Sequence, residues 1–93
     1  MKKVIIRSDR AGVFYGELKA RSGDEVTLVN ARRLWYWSGA ASLSQLAVDG
    51  TSRPNDCRFT VYVPEIVILG VIEIIPCTEK AQKSIEGVSI WKV

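Results

Sequence analysis

The sequence predicts a β-rich α+β domain, built as a small twisted antiparallel sheet or partly closed barrel with a short central helix and a C-terminal helix. Three observations predict this class. Runs of β-branched and aromatic residues separated by tight turns fill residues 1–37. A serine-led segment with helical spacing interrupts the strands near the middle of the chain, and a threonine-led segment of the same kind follows the last apolar run.

The size of the chain bounds the organisation of the protein. It has 93 residues, of which 47% are hydrophobic, so we expect one folded domain over residues 1–93 and not a disordered chain. A domain of this size buries only about 60–65% of its unfolded surface. A homo-oligomer is therefore expected as a way to gain buried area.

The first part of the chain predicts an antiparallel meander of three strands. Gly16 in the second strand predicts a bulge or a close backbone approach. Alternation along the third strand places Val26, Leu28 and Asn30 on one face. The three strands are expected at Lys3–Arg7, Val13–Ala20 and Glu25–Trp37, with turns at residues 8–12 and 21–24.

The central helix is predicted by a capping box. Ser42 can accept from the amide three residues later while Gln45 reaches back, and Asp49-Gly50 ends the helix. Leu43, Leu46 and Ala47 form its one apolar stripe. We therefore expect this helix to fold over the third strand and to cover one side of residues 35–37.

The second half of the chain predicts more strands and a last helix. Cys57–Val63 is expected to be a strand that Pro64 interrupts, and Glu65–Ile75 a second long strand with a bulge at Gly70. Thr78 is expected to cap a helix that runs to Glu86, before a strand or tail over residues 89–93.

Charge and composition narrow the partners. The formal net charge is +3, and up to Arg58 ten Lys/Arg face six Asp/Glu, against three and four after it. An anionic partner is therefore expected at the first two-thirds of the chain, although this modest charge argues against nucleic acid as the main partner.

No signal peptide or apolar run of membrane-spanning length is present, so we expect a cytoplasmic protein without a membrane partner. In that compartment Cys57 and Cys77 are expected to be reduced.

Catalytic and metal-binding patterns are missing. The chain has no histidine, no glycine-rich phosphate loop and no nucleophile elbow. Asp24-Glu25 lies in a predicted hairpin turn, and neither cysteine has a nearby base in sequence. We therefore expect a protein that is not an enzyme, with no cofactor and no metal site.

The segment Arg32-Arg33-Leu34-Trp35-Tyr36-Trp37 is the most distinctive feature of the sequence. Strand alternation would place Trp35 and Trp37 beside Arg33 on one face, and Tyr36 with Arg32 on the other. The rings could fill the core, or they could stack on a flat anionic ligand whose phosphates the arginines hold. Both interpretations remain open from the sequence.

The second interpretation defines a candidate ligand site. Small residues after the aromatic run would let a ligand approach the start of the central helix, and arginines in two loops could add phosphate contacts. The candidate ligand-binding residues are Arg32, Arg33, Trp35, Tyr36, Trp37, Ser38, Arg10 and Arg53.

A longer frame carries a resemblance. It consists of Ala-Gly-Val-x-x-Gly at residues 11–16, Asn-Ala-Arg-Arg-Leu-Trp-Tyr-Trp at 30–37, Ala-Ala-Ser-Leu-Ser-Gln-Leu-Ala at 40–47, Val-Pro-Glu at 63–65 and Ile-Ile-Pro-Cys-Thr at 74–78. This frame resembles a family of short phage and prophage proteins described as a domain of unknown function. The resemblance implies a phage-encoded protein in the cytoplasm of the infected bacterial host, and it carries over no catalytic residue.

Phage origin, size and candidate pocket chemistry together suggest a function by analogy. Oligomeric phage "sponges" sequester the cyclic nucleotides made by bacterial immune systems, and we expect a non-enzymatic binder of a small nucleotide signal of this kind. The alternative is a phage accessory or regulatory module that binds a protein or associates with DNA, with Glu65–Ile75 as an exposed strand edge. A structural phage component is a third reading.

Overall fold

The computed structural model describes residues 1–93 and contains six strands, two helices and one 3-10 turn. The predicted class is confirmed, because one antiparallel sheet that does not close carries a central and a C-terminal helix. Neither helix has the length and apolar character needed to cross a membrane. The elements are β1 Lys3–Ser8, β2 Gly12–Ser22, β3 Glu25–Tyr36, α1 Leu43–Asp49, the 3-10 turn Pro54–Asp56, β4 Arg58–Phe59, β5 Val63–Ile68, β6 Val71–Pro76 and α2 Glu79–Gly87.

The strand order is β4-β3-β2-β1-β6, and β5 also pairs with β3. Along β3, β5 lies beside residues 26–31 and β4 beside the end of the strand, at Leu34 and Tyr36. β5 and β6 follow one another in the chain, yet β5 pairs with β3 and β6 pairs with β1. The sheet therefore curls without closing, and β5 and β6 each keep one unpaired edge.

Both faces of the sheet are buried, in two separate cores. Along β1, Val4 and Ile6 belong to one core and Ile5 to the other, as strand alternation requires. The first core lies under the two helices and contains Leu46 and Ile85. The second core lies inside the curled sheet and is completed by other β-strand side chains: Phe14, Val26, Leu28, Ala31, Ile68 and Val71.

A bulge in β3 changes which residues face this second core. Asn30 has a left-handed backbone (φ 50°), and the pairing with β2 shifts between Val29 and Arg32. Asn30 is exposed and Ala31 takes the core position, so the predicted face of Val26, Leu28 and Asn30 is wrong at its last member. The predicted close approach at Gly16 is confirmed, because a Cβ there would lie 3.0 Å from the Ala31 Cβ.

The predicted long strand Glu65–Ile75 is two strands. β5 ends at Ile68, and Leu69-Gly70, with Gly70 at φ +67°, carries the chain to β6 at the far edge of the sheet. Pro64 does not interrupt a strand, because it lies within β5, an edge strand that tolerates a residue without an N–H. The preceding strand is limited to Arg58–Phe59.

Both predicted helix caps are present. The Ser42 hydroxyl accepts from the Gln45 amide at 3.1 Å, and the Gln45 side chain accepts from the Ala41 amide at 2.7 Å. The Thr78 hydroxyl accepts from the Ala81 amide at 3.1 Å.

α1 packs chiefly against α2 and β6. The expectation that it covers residues 35–37 of the third strand is therefore wrong for Trp35 and Tyr36, which stay exposed.

Candidate functional site

The exposed end of β3 meets the C-terminal tail in a stacked pair of tryptophans. The Trp35 and Trp91 ring centroids lie 4.9 Å apart with the planes tilted by 31°. The Arg58 guanidinium lies 5.6 Å from each ring centroid. Trp35 is 55% exposed and Trp91 is 44% exposed, so this group of three side chains lies at the surface rather than in either core.

Strand pairing positions the three side chains. Arg58 in β4 pairs with Tyr36 of β3, which places it beside Trp35. On the other side of β4, Ile90 forms a parallel bridge with Phe59, and the Trp91 amide donates to the Phe59 carbonyl at 2.9 Å. β4 is only two residues long, but it fixes both the strand end and the tail.

A cleft of about 490 Å³ opens beside this group, and we call it the tryptophan cleft. Its volume lies within the range of small-molecule sites. Neither Arg53 nor Arg58 lies within ion-pair distance of a carboxylate, although Asp56 also lines the cleft. The residues that line it are Tyr36, Ser38, Arg53, Asn55, Asp56, Cys57, Arg58 and Trp91.

Four of the candidate residues from the sequence are thus brought to one place. Tyr36, Ser38 and Arg53 line the tryptophan cleft, and Trp35 adjoins it through Trp91 and Arg58. Tyr36 is half exposed, so its ring is accessible beside the cleft. The arrangement can hold a flat ring against indole or phenol faces and an anion against two guanidinium groups.

Arg32 is not available to a ligand, which corrects its place among the candidates. It is 1% exposed, and its guanidinium donates to four backbone carbonyls at 3.0–3.1 Å, those of Phe59, Thr60, Ile85 and Val88. Two of these carbonyls lie at the C-terminal end of α2, where the partial negative charge of a helix favours a cation. Arg32 therefore joins α2 to the end of β4 and the residue that follows it.

Trp37 is also removed from the surface. It follows the end of β3, is partly buried and packs against the first core together with Leu43. The predicted shared face of Trp35 and Trp37 is therefore wrong, because strand alternation stops at Tyr36. The core interpretation of the aromatic run therefore applies to Trp37, whereas Trp35 and Tyr36 stay exposed.

Arg33 and Arg10 lie together elsewhere. The Arg33 guanidinium lies 4.6 Å from the centroid of the Phe14 ring, and both arginines line a second hollow that shares no lining residue with the tryptophan cleft. The eight candidates therefore do not form one site.

Sequence reasoning missed Arg58 and Trp91. Arg58 looked like one charge in a longer strand, and Trp91 lay in a tail without a predicted partner. A signal was present, because a tryptophan in a short tail after a helix needs a packing partner. Only the pairing of the tail with β4 identifies that partner as Trp35.

A polar cluster around Glu86 of α2 contains three of the four groups whose pKa departs from its ordinary value, namely Lys3, Tyr15 and Glu86. Glu86 accepts from Lys3 at 2.8 Å and from the Tyr15 hydroxyl at 2.5 Å. Burial opposes the ionisation of Glu86, but the hydrogen bonds from Lys3 and Tyr15 outweigh it and hold the Glu86 pKa below its ordinary value. Burial, with the bond to Glu86, raises the Tyr15 pKa.

Cys77 is the other group whose pKa is strongly shifted. Burial raises the pKa of the Cys77 thiol to about 11, so this cysteine is a poor nucleophile at neutral pH. No three Cys, Asp or Glu side chains lie close enough together to bind one metal ion, and the chain lacks histidine.

Comparison with known proteins identifies the family. A family model described as "Domain of unknown function (DUF6948)" matches residues 1–85. The chain belongs to the DUF6948 family. No curated protein and no solved structure matches it. The match to the DUF6948 model includes Trp35, Tyr36, Arg53 and Arg58, and it ends before Trp91, so the tail that completes the stacked pair lies outside the matched region.

Proposed function

We propose that this DUF6948 protein is a non-enzymatic binder of a small nucleotide signal, a cyclic di- or trinucleotide, held at the tryptophan cleft. A base stacks on the exposed aromatic surface, and the phosphates lie against Arg53 and Arg58. Ser38, which also lines the cleft, is a hydrogen-bonding group for the sugar or phosphate.

The observation that carries the proposal is the position of Arg58. Its guanidinium contacts both indole rings and has no carboxylate partner, so its charge remains available to an anion beside a stacking surface. A base–aromatic stack contributes about 1–3 kcal/mol. Micromolar affinity needs about 8 kcal/mol, so the phosphate contacts of the two arginines are required as well.

The biological use we propose is sequestration. The resemblance of the arginine–aromatic frame to short phage proteins supports a phage-encoded protein that withdraws an immune signal in the host cytoplasm. A binder that acts by sequestration needs no catalytic group. A homo-oligomer would present several such clefts and is part of the proposal.

Isothermal titration calorimetry against a panel of cyclic di- and trinucleotides tests the proposal. We expect micromolar or tighter binding of at least one member, and a loss of at least tenfold in Arg58→Gln. The matched control is Lys83→Gln, which removes the same charge from the exposed surface of α2, away from the cleft. No heat from any nucleotide at micromolar protein would overturn the proposal, and salt-sensitive binding of duplex DNA would favour a DNA-associated module instead.

A further inference from the structure

A second surface of the protein has the geometry of a strand-binding groove. A hollow of about 600 Å³ lies between β5 and the turn that joins β1 to β2. Phe14 and Arg33 line this hollow and also a smaller one of about 200 Å³ that extends it towards Val61 and Val63. We call the two together the β5 groove.

One wall of the β5 groove is a strand edge. Residues 66–69 all line the groove. Because successive strand residues point to opposite faces of a sheet, the groove runs along the backbone edge of the strand and not over one face of the sheet. β5 has β3 as its only neighbour, so the N–H and C=O groups on its other edge have no strand partner. Such an edge accepts an extended segment by strand addition.

Pro64 indicates which amides point outward. Proline has no N–H to give to a ladder, and it lies opposite the bulged Asn30 in the pairing with β3. By alternation, the amides of Ile66 and Ile68 point away from β3. An incoming strand would therefore meet donors at alternate positions beyond the proline.

The charge of the β5 groove selects the sequence of that strand. Arg10 and Arg33 both line it, and neither lies within ion-pair distance of a carboxylate. Asp9 is the one acidic side chain in the lining. Exposed apolar side chains flank the same edge, with Val67 at 53% and Leu69 at 64% exposure.

We propose that the β5 groove binds an extended segment of a partner protein in which apolar and acidic residues alternate, added to the sheet as a strand beside β5. The backbone edge supplies the hydrogen bonds, the exposed Val67 and Leu69 side chains accept the apolar residues, and the arginines pair with the acidic ones. This function is separate from nucleotide binding, because the two sites share no lining residue.

Selection from a displayed library of random seven-residue peptides tests the proposal. We expect enriched peptides to alternate Asp or Glu with Val, Ile or Leu and to lack internal proline. The double variant Arg10→Gln/Arg33→Gln should bind a selected peptide about tenfold more weakly. Lys80→Gln/Lys83→Gln loses the same charge on α2 and should bind it like the unmodified protein.

Backbone methylation of the selected peptide separates strand addition from other binding modes. N-methyl groups on alternate residues along one edge should abolish binding, whereas the same modification along the other edge should leave it within about twofold. Equal loss for both peptides, no enrichment, or an enriched basic or proline-rich sequence would overturn the proposal. Sedimentation of a stable dimer that the peptide dissociates would identify the occupant as a second copy and also overturn it.

Discussion

The indole rings of Trp35 and Trp91 are stacked 4.9 Å apart, which joins the end of the longest strand to the C-terminal tail. No room for a base remains between rings at this distance, because stacked aromatic planes are already in van der Waals contact. A ligand at the tryptophan cleft must therefore stack on an outer face of the pair or on Tyr36.

The tryptophan pair should show measurable coupling. In a double-mutant cycle of Trp35→Ala and Trp91→Ala, we expect a coupling free energy of about 0.5–1.5 kcal/mol in urea unfolding, because each ring loses the same partner. Additive losses would show that the rings stabilise the fold independently.

Arg32 and Arg33 are adjacent in sequence and should respond in opposite ways to the same substitution. Arg32→Lys should lower the free energy of unfolding by about 2–4 kcal/mol, because an ammonium group cannot reach all four carbonyls that the guanidinium fork holds. Arg33 is exposed, so Arg33→Lys should change the free energy of unfolding by less than about 0.5 kcal/mol. Urea melts of both variants make the comparison, and equal effects would contradict the structural role of Arg32.

Gly16 should not tolerate a methyl group. Gly16→Ala places a Cβ 3.0 Å from the Ala31 Cβ and 3.1 Å from its Cα, and we expect a loss of about 1–3 kcal/mol. Gly87→Ala is the control, because a Cβ there meets no atom within 4 Å and the residue ends a helix, so stability should stay level or rise by up to about 1 kcal/mol. A Gly16→Ala protein as stable as the parent would show that β2 and β3 do not approach closely at this position.

Glu86 should stabilise the protein at neutral pH and cease to do so in acid. Its pKa is lowered in the folded protein, so its contribution is present above the ordinary glutamate value of 4.5 and is lost as the pH falls through the lowered folded value. Thermal melts from pH 7 to pH 2 should therefore show a shallower acid dependence in Glu86→Gln. Glu79→Gln is the control, because it makes an equal change of charge on the same helix and leaves the Glu86 hydrogen bonds in place.

Tyr15 should ionise only when the protein unfolds. Its folded pKa is raised, so its contribution is complete below the ordinary tyrosine value of 10.0 and is lost as the pH rises above it. Tyrosinate absorbance should show a slow or cooperative step at alkaline pH that is absent from Tyr15→Phe. A titration of the unmodified protein without this step would contradict the burial of Tyr15.

The sequence was sufficient for features that depend on local chemistry. The caps at Ser42 and Thr78 were predicted because each depends on a few neighbouring residues, and the close approach at Gly16 because a glycine inside a strand pattern indicates such a contact. The side of the sheet on which Ala31 lies was not predicted, because the left-handed backbone of Asn30 reverses the in–out alternation of the side chains that follow it in β3. The separation of β5 from β6 was missed for a similar reason. A turn at Gly70 divides one apolar run into two strands, of which β5 pairs with β3 and β6 pairs with β1.

The candidate site was predicted in part. Four of the candidate ligand-binding residues do lie together at the tryptophan cleft or beside it: Trp35, Tyr36, Ser38 and Arg53. Alternation could not show that Arg32 would be buried, because its four carbonyl partners lie between Phe59 and Val88, far away in the chain. Arg58 and Trp91 depend on tertiary pairing, which no local pattern specifies.

The bonds from Arg32 to Ile85 and Val88 also bear on how fast the chain folds. They join residues 53 and 56 positions apart, and Lys3 meets Glu86 across 83 positions. Until such distant segments meet, the guanidinium must stay hydrated, and its desolvation is compensated only when α2 docks. Folding dominated by contacts between such distant residues takes milliseconds to seconds. We therefore expect a slow-folding domain in which the Arg32 hydrogen bonds form late in the reaction.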